Sequence, residues 1–495
     1  MPPEDSTPVG APRPNRRDLL ATTMLLGTGL LSGCAAGIAG APGDTGRNGG
    51  TGALRGEALI DDVAQRTFRF FWDTTNAANG LVPDRYPSKS FASIAAVGFA
   101  LTIYPYGVEQ GWVTRAQARD RTLTTLRFFW NAPQGPEAAG TAGYKGFFYH
   151  FLDMETGTRY RQNELSTIDT TLLFGGMLFA AQYFDGDDAG EAEIRDLAQR
   201  IYARADWPWI VEDKPVVSMG WHPESGFIEA DWVGYNEAML LYVLALAAPT
   251  HPLPAEAWEG WTKGYAEDWV DQYGQHFLGF APMFGHQYSH VWIDFRGIKD
   301  APMRAAGFDY FENSRRAALA QRGYAAANPM GWRGYDENIW GFTACDGPGG
   351  GKLPYNGELR EFRDYSARGV SGNHAFDDGT IAPTAALGSI PFVPEEAKAA
   401  ADAMVERYGR RLYGEYGFLD SFNPSYRFAS KVAHSIVDPE LGWVDQDYLG
   451  IDQGAILTMI ANHRSDFVWK YMRKAPAIVT GLKRAGFTGG WLDAS

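Results

Sequence analysis

Three carboxylic acids stand at the beginnings of apolar segments, where an acid side chain can face a substrate. Glu237 precedes an uncharged run over residues 238–248, and Glu164 and Asp169 lie at the head of a second apolar run. A buried carboxylate is costly unless it faces a wet cavity or a partner. The pattern therefore predicts a cavity lined by acids.

Paired carboxylic acids can hydrolyse a glycosidic bond, since one protonates the leaving oxygen while the other activates water or attacks carbon. Burial beside an uncharged helix should raise the pKa of Glu237, which suits a general acid. Glu164 and Asp169 lie in a more polar loop, so one of them should stay ionised and act as the base. The structural alternative for Asp169 is a place in the first turn of a helix that Ser166 caps.

Aromatic and polar side chains near these acids are candidates for sugar binding. Aromatic residues make up 14% of the chain, which has 16 tryptophans. This is more than a core of this size needs, although a helical fold can also pack with aromatic side chains. The predicted substrate-binding residues are Tyr149, Trp221, Trp232, Tyr235, His286, His290, Trp292, Asp294, Arg296, Trp340, Asp346, Asp378 and Asp452.

Metal and cofactor signatures are weak. His286 and His290 have the spacing of a zinc pair, but Gln287 stands where the glutamate of the HExxH motif would be. The glycine-rich stretch 345–355 lacks the spacing of a phosphate loop and is predicted to be a flexible flap over the mouth. The acids of 445–452 could hold a cation, but capping is their more usual role. We therefore expect no metal and no cofactor.

Six apolar segments rich in small residues alternate with longer charged segments of helical spacing. The first set should be buried on every side, because a surface helix shows charges every third or fourth residue. The alternation predicts an all-α fold, an (α/α)6 barrel whose acidic inner-helix starts meet at one mouth. The predicted inner segments are 93–104, 164–184, 231–248, 337–344, 378–392 and 450–463. The predicted outer helices are 56–73, 114–130, 189–205, 255–275, 303–326, 394–413 and 464–481.

The register of this alternation is imperfect. Two charged segments fall between the third and fourth inner segments, and none lies clearly between the fourth and fifth.

The N-terminus has the pattern of an export signal. Arg16 and Arg17 precede an apolar run, and LSGC ends at Cys34 with the small residues of a lipoprotein cleavage site. The run has roughly thirteen residues, too few to span a bilayer. We expect residues 1–34 to be a twin-arginine lipoprotein signal, which would leave the protein lipid-anchored in the periplasm or on the cell surface.

The rest of the chain divides into two parts. Residues 35–56 are rich in Gly and Ala and should form a flexible tether, and residues 57–495 show no internal linker and are predicted to form one catalytic domain. If Cys34 is lipidated, Cys345 has no partner for an intramolecular disulfide.

The formal net charge of −15 argues against binding to nucleic acid or to anionic membranes. A neutral polysaccharide fits this charge, and we expect the protein to be a monomer.

Six sequence blocks, in order, resemble the glucoamylase-like domain family and glycoside hydrolase family 144, the bacterial β-1,2-glucanases. The resemblance covers roughly residues 57–485. The blocks are STIDTTLLFGGMLFAAQYF, WVGYNEAMLLYVLALAAPTHPLP, QYSHVWIDFRGIKD, ENIWGFTACDGP, DDGTIAPTAALGSIPFVPE and YLGIDQGAILTMIANHRSDFVWKYM.

This resemblance implies an (α/α)6 barrel, chemistry without a metal, and hydrolysis of β-1,2-glucan with inversion. It places Glu237, Glu164 and Asp169 in the catalytic region, and the family includes endo-acting enzymes and exo-acting ones that release sophorose. Four readings stay open: this hydrolase, a transglycosylase or hydrolase of another glucan linkage, a non-catalytic carbohydrate-binding lipoprotein, and a cofactor enzyme. The acids favour the first, because a pure binder has no reason to keep three of them at one mouth.

Overall fold

The computed structural model of the chain describes residues 54–372, 375–429, 432 and 434–494. The predicted export signal, Cys34 and nearly all of the predicted tether lie outside the described residues. Among the residues that are described, no helix is long and apolar enough to cross a membrane.

Helices form most of the regular structure. The α-helices are α1 (Glu57–Thr74), α2 (Ile94–Glu109), α3 (Arg115–Asn131), α4 (Thr167–Tyr183), α5 (Ala189–Ala203), α6 (Trp207–Val211), α7 (Met239–Ala247), α8 (Glu256–Thr262), α9 (Tyr288–Trp292), α10 (Ala301–Ala306), α11 (Tyr310–Ala327), α12 (Pro383–Leu387), α13 (Pro394–Tyr408), α14 (Gly450–Ser465), α15 (Phe467–Met472) and α16 (Pro476–Arg484). Short 3-10 helices cover Lys263–Glu267, Met283–His286, Gly409–Arg411 and Gly490–Ala494.

The strands are short and form small antiparallel sheets. They are β1 (Arg85–Tyr86), β2 (Ala92–Ser93), β3 (Gly143–Tyr144), β4 (Phe147–Tyr149), β5 (Phe151–Leu152), β6 (Leu165–Ser166), β7 (Gly220–His222), β8 (Gly226–Phe227), β9 (Trp269–Gln272), β10 (Gln275–Leu278), β11 (Ala344–Cys345), β12 (Gly351–Tyr355), β13 (Glu358–Phe362), β14 (Ser366–Ala367), β15 (Tyr413–Gly414), β16 (Gly417–Phe418), β17 (Phe422–Asn423), β18 (Val437–Asp438), β19 (Gly442–Val444) and β20 (Tyr448–Leu449).

Two of these sheets position the site. The largest has the strand order β3-β4-β6-β7-β8, with Phe148 of β4 opposite Ser166 of β6. Strand β6 ends directly before α4. The second pairs β1 with β20, with Arg85 opposite Leu449, directly before α14. Each sheet therefore positions acidic residues near the start of an inner helix.

The apolar helices α2 and α4 are buried along nearly their whole length, as their lack of charge predicts. They touch backbone to backbone: a Cβ on Gly176 would lie 2.0 Å from the Gly98 carbonyl oxygen. Ser93 caps α2 by accepting a hydrogen bond from the backbone of Ala96, which satisfies one free N–H of the first turn. Small residues thus let these two helices approach closely.

The buried helices contact one another in sequence around the molecule. Helix α4 packs against α7, and α14 packs against both α12 and α2. The Ser289 hydroxyl of α9 donates to the Glu237 carbonyl (2.7 Å) ahead of α7. The Gln287 amide, just before α9, donates to Ala385 of α12 (2.9 Å). The charged helices pack on this set, for example α5 against α4 and α16 against α7.

The predicted fourth inner helix over residues 337–344 is wrong. This stretch is an extended turn that leads into β11, with a bridge between Asp336 and Ile339. Gly341 has a φ of 138°, which no α-helix accommodates. Helix α9 packs against α14 and α7 instead, and the 3-10 helix at Met283–His286 packs against α9 and α11, which explains the imperfect register of the sequence pattern.

Several other predicted helices are shorter or divided. The predicted helix 255–275 ends early, and its second half forms the β9–β10 hairpin, whose turn places Tyr273 and Gly274 at positive φ. The segment 303–326 is divided by Gly307, at a φ of 84°. The other differences are 231–248, helical only from Met239; 378–392, helical only over Pro383–Leu387; 394–413, which ends at Tyr408; and 464–481, divided into α15 and α16.

Candidate active site

Glu237 lies in the irregular segment before α7 and is 4% exposed. Burial raises the pKa of its carboxyl to about 8, and the negative charge of Asp169 adds to the effect. Its Oε2 has no hydrogen-bond partner among the described residues. The carboxyl is therefore mostly protonated at neutral pH, and one of its oxygens is buried without a hydrogen-bond partner in the described part of the chain.

Glu164 and Asp169 lie on either side of one histidine. His150 Nδ1 is 2.7 Å from Glu164 Oε1, and Nε2 is 3.4 Å from Asp169 Oδ1. The Ser166 hydroxyl donates to Asp169 Oδ2 (2.5 Å) and accepts from the Asp169 backbone N–H (3.2 Å). Ser166 therefore caps the helix and also hydrogen-bonds to the Asp169 carboxylate. Capping and a functional position are thus compatible for Asp169.

The two acids have different protonation behaviour. Burial acts to raise the pKa of Glu164, but the charge and hydrogen bond of His150 outweigh it, and the pKa falls below its usual value. Burial raises the pKa of Asp169, and His150 and Ser166 offset this only in part. Glu164 is thus firmly ionised, whereas Asp169 is closer to the range of a base that exchanges protons.

A second group of acids surrounds Arg85. The Arg85 guanidinium donates to Asp346 (2.6 Å) and lies 3.3 Å from Asp84. Burial raises the pKa of Asp420 to about 6. Burial, together with the charges of neighbouring acids, raises the pKa of Asp445 and Asp452 well above their usual range.

Tyr288 of α9 connects the two acid groups. Burial raises the pKa of its hydroxyl, and the charges of Asp452, Glu237 and Asp169 raise it further. Charges from α4, α14 and the segment before α7 therefore act on one tyrosine, and the common mouth for these acids stays a prediction.

Two sets of ligand-type atoms within the second group lie within 4.8 Å of one another: Asp346 with Asp364 and His434, and Asp346 with Asp420 and Asp445. Arg85 and His434 lie in the same place, with Arg85 3.0 Å from the His434 ring nitrogen. The guanidinium supplies positive charge where a cation would bind. The absence of a metal in the chemistry stays a prediction.

Most of the predicted sugar-binding aromatic residues and histidines lie in the core. Trp292 donates to Thr102 (3.1 Å) and Trp232 donates to Thr167 (3.0 Å). Burial lowers the pKa of both His286 and His290 to about 3, so both rings are neutral. Tyr149, Tyr235 and Trp340 are also buried, whereas Trp221 is half-buried.

Asp294 and Arg296 lie away from the acids. Arg296 pairs with Asp294 (2.8 Å) and with Asp466 (2.8 Å), which follows the C-terminal end of α14. Asp452 is at the other end of this 16-residue helix, and a helix of that length spans about 24 Å. The structure therefore separates these two predicted residues from Glu237, Asp169 and Asp452.

Asp346, Asp378 and the predicted flap have mainly structural partners. Asp378 forms a buried ion pair with Arg368 (2.8 Å). Asp346 and Cys345 are fully buried. Residues 351–362 form the regular β12–β13 hairpin rather than an irregular flap.

Several charged residues at the site were missed as candidates: His150, Asp84, Arg85, Asp420 and His434. Arg85 and Asp346 are 261 positions apart in sequence, so no local spacing could join them. His150 was visible as the one histidine of the polar loop before α4, and a search for a cation beside the paired acids would have found it.

Comparison with known proteins supports a single family. The sequence profile of the family described as "Putative glucoamylase" matches residues 229–476. A crystal structure from Bacteroides uniformis, named "putative glucoamylase", superposes on this chain with a TM-score of 0.74 at 30% sequence identity. The match covers 89% of this chain and 99% of that one. The chain belongs to this family.

Members with named activities are also similar. An exo-β-1,2-glucooligosaccharide sophorohydrolase from Parabacteroides distasonis is 27% identical over 460 residues, which are 86% of this chain and 58% of the relative. An endo-β-1,2-glucanase from Chitinophaga pinensis, in complex with sophorotriose and glucose, has a TM-score of 0.75 at 28% identity, over 89% of this chain and all of the other. The chain thus spans little more than half of the curated relative that it matches.

Proposed function

We propose that the protein is a glycoside hydrolase that cleaves β-1,2-glucan with inversion. The observation that carries the proposal is Glu237, a buried, protonated acid whose Oε2 has no hydrogen-bond partner among the described residues and whose pKa the charge of Asp169 raises further. Paired carboxyl groups in different protonation states are what this hydrolysis needs. The relatives from P. distasonis and C. pinensis are named for action on β-1,2-linked glucose chains, which supports the choice of linkage.

In the proposed reaction Glu237 protonates the leaving glycosidic oxygen, directly or through a relay. Asp169 takes a proton from the attacking water, because its charge acts on Glu237 and burial raises its pKa above the usual value of an aspartate. Glu164 stays ionised beside it. If Asp169 proves dispensable, Asp452 is the next acid to test, since its charge also reaches Tyr288.

We further propose that residues 57–495 form an (α/α)6 barrel. The supporting observation is the sequence of contacts α2–α4–α7–α9–α12–α14, which returns from α14 to α2. The charged helices α1, α3, α5, α11, α13 and α16 would form the outer layer. This arrangement differs from the sequence-based one in using α9 as the fourth inner helix.

The product profile of purified protein tests the function. Linear and cyclic β-1,2-, β-1,3-, β-1,4- and α-1,4-glucans are incubated with enzyme, and products are separated by chromatography. We expect only β-1,2-glucan to be cleaved, with the α-anomer formed first by NMR. Cleavage of another linkage alone would contradict the substrate, and products longer than the substrate would indicate a transglycosylase. A first-formed β-anomer would mean retention, with one carboxylate as nucleophile.

We also propose that the protein is exported by the twin-arginine route and lipid-anchored at Cys34. The support is the Arg16-Arg17 pair followed by the apolar run and LSGC. Mass spectrometry of the N-terminal peptide from membranes should find a lipid on Cys34. A mature chain that begins at another residue without lipid would contradict this.

A further inference from the structure

His150 lies between β4 and β5, where the largest sheet reaches the start of α4. Its backbone N–H donates to the Glu164 carbonyl (2.9 Å), and its carbonyl accepts from the Ile94 N–H (3.3 Å) of α2. Its ring stacks on Phe151, with centroids 3.8 Å apart and 19° between the planes. The imidazole is therefore held in place by the hydrogen bonds of the His150 backbone and by the stacking of one ring face on Phe151.

Both ring nitrogens face carboxylates. Nδ1 lies 2.7 Å from Glu164 and Nε2 lies 3.4 Å from Asp169. The His150 side chain is 18% exposed, and the two acids are 12% and 8% exposed. Nδ1 forms a hydrogen bond with Glu164, and Nε2 lies at ion-pair distance from Asp169. A ring placed between two carboxylates is stabilised in its protonated form, because an opposite charge within about 4–6 Å favours the charged state.

The charged groups around His150 are almost all acidic. Glu164, Asp169 and Asp84 face it from three different segments, and their charges outweigh burial and raise the pKa of His150 to about 9. His222 of β7 is near Glu164, but burial lowers its pKa. Arg85 lies beyond Asp84, with which it pairs at 3.3 Å. Beyond Asp169 lies Glu237, which is protonated.

We propose that His150 is a positioning residue for the base side of the reaction: its imidazolium fixes the separation of Glu164 and Asp169 and keeps both ionised. This inference rests on the proposed function. Two buried carboxylates this close repel each other, and without a cation one of them takes up a proton. A protonated Asp169 cannot accept a proton from water. His150 acts only through the acids and needs no contact with the sugar.

The kinetic test replaces the histidine with neutral amides. His150→Asn keeps one donor near Glu164, and His150→Gln is a second neutral variant of different length. We expect kcat to fall about 100-fold, the lower range for loss of acid–base catalysis, while KM changes less than about threefold, since no sugar contact is lost. The acidic limb of the kcat–pH profile should move up by about one pH unit or more, because the base has a higher pKa.

The matched control is His276→Gln. His276 also pairs with an aspartate, Asp271 at 2.9 Å, but its side chain is 53% exposed and lies on the β9–β10 hairpin. Its pH profile should equal that of the wild type. A folded His150 variant, checked by circular dichroism, that keeps the wild-type acidic limb would overturn the proposal, even if its kcat is lower.

A second measurement does not depend on activity or on the folding of the His150 variants. NMR of wild-type protein with ¹⁵N-labelled histidine should show two rings with both nitrogens protonated at pH 7.5, because the neighbouring acids raise the pKa of His434 to about 10 and that of His150 to about 9. The His150 ring is the one that loses this state at lower pH in Glu164→Gln than in the wild type. If no doubly protonated ring responds to Glu164→Gln, the proposal is overturned. If the wild type cleaves no β-1,2-glucan but shows this ring, the proposed function fails while the ion cluster stands.

Discussion

Glu237 and Glu164 are both buried glutamates ahead of inner helices, yet their pKa values move in opposite directions. Burial raises the pKa of Glu237 to about 8, and its nearest charged influence, Asp169, is negative. Glu164 is also buried, but His150 at 2.7 Å lowers its pKa. The same side chain is therefore a protonated acid at one position and an anion at the other. The neighbouring charge, and not burial alone, decides which.

The largest effect should come from removing the proton donor. Glu237→Gln keeps the shape and the neutral state of this side chain but cannot give up a proton. We expect turnover on β-1,2-glucan to fall by about two to four orders of magnitude. Turnover is measured beside a thermal melt. Near-normal turnover in a folded variant would show that Glu237 is not the donor.

The two acids on the ionised side should differ from each other. Asp169→Asn removes the proposed base, so turnover should fall by about two orders of magnitude. Glu164→Gln removes only the second partner of His150, and we expect about a tenfold loss. The comparison is made at the pH optimum of each variant. A larger loss in Glu164→Gln than in Asp169→Asn would exchange the two roles.

A smaller effect concerns stability. The folded protein keeps the Glu237 proton up to pH 8 or so, whereas an unperturbed glutamate loses it near 4.5. The folded state then binds more protons between these values, so this group's contribution to the free energy of unfolding falls as pH rises through that window. The Tm of Glu237→Gln minus that of the wild type should therefore increase from pH 5 to pH 8. A constant difference would mean that Glu237 is ionised when folded.

The smallest effect is expected from chelators. Arg85 supplies positive charge inside the second acid group, and Glu237 and Asp169 can perform the reaction without a metal. Activity after treatment with EDTA should equal that of untreated enzyme. Loss of activity that one divalent ion restores would assign that ion to Asp346, Asp420 and Asp445.

The sequence predicted the helix-rich fold and three of the acids because uncharged runs can be recognised locally. α2, α4 and α14 begin within about three residues of their predicted starts. The fourth inner position failed because α9 is only five residues long and its segment carries two histidines. Burial keeps both imidazoles neutral, so they can lie in the core. Because histidine counts as polar in the sequence pattern, this segment was not recognised as a buried helix. The cluster around Arg85 could not be predicted, since Arg85 and Asp346 are 261 positions apart in sequence. The cluster around His150 is local, and what the sequence analysis missed there is the cation between the two acids.

The pairing of β1 with β20 has a consequence for how the protein is made. It places Asp84 and Arg85 beside the segment that carries Asp445 and Asp452, so residues near both ends of the described chain meet in one sheet. During synthesis the first inner helices emerge long before this partner strand exists. A chain that ends before β20 therefore carries Glu237, Asp169 and Arg85, but it has neither the partner strand of β1 nor Asp452. Contacts of such long sequence separation are slow to form, so the second acid group should be completed late in folding.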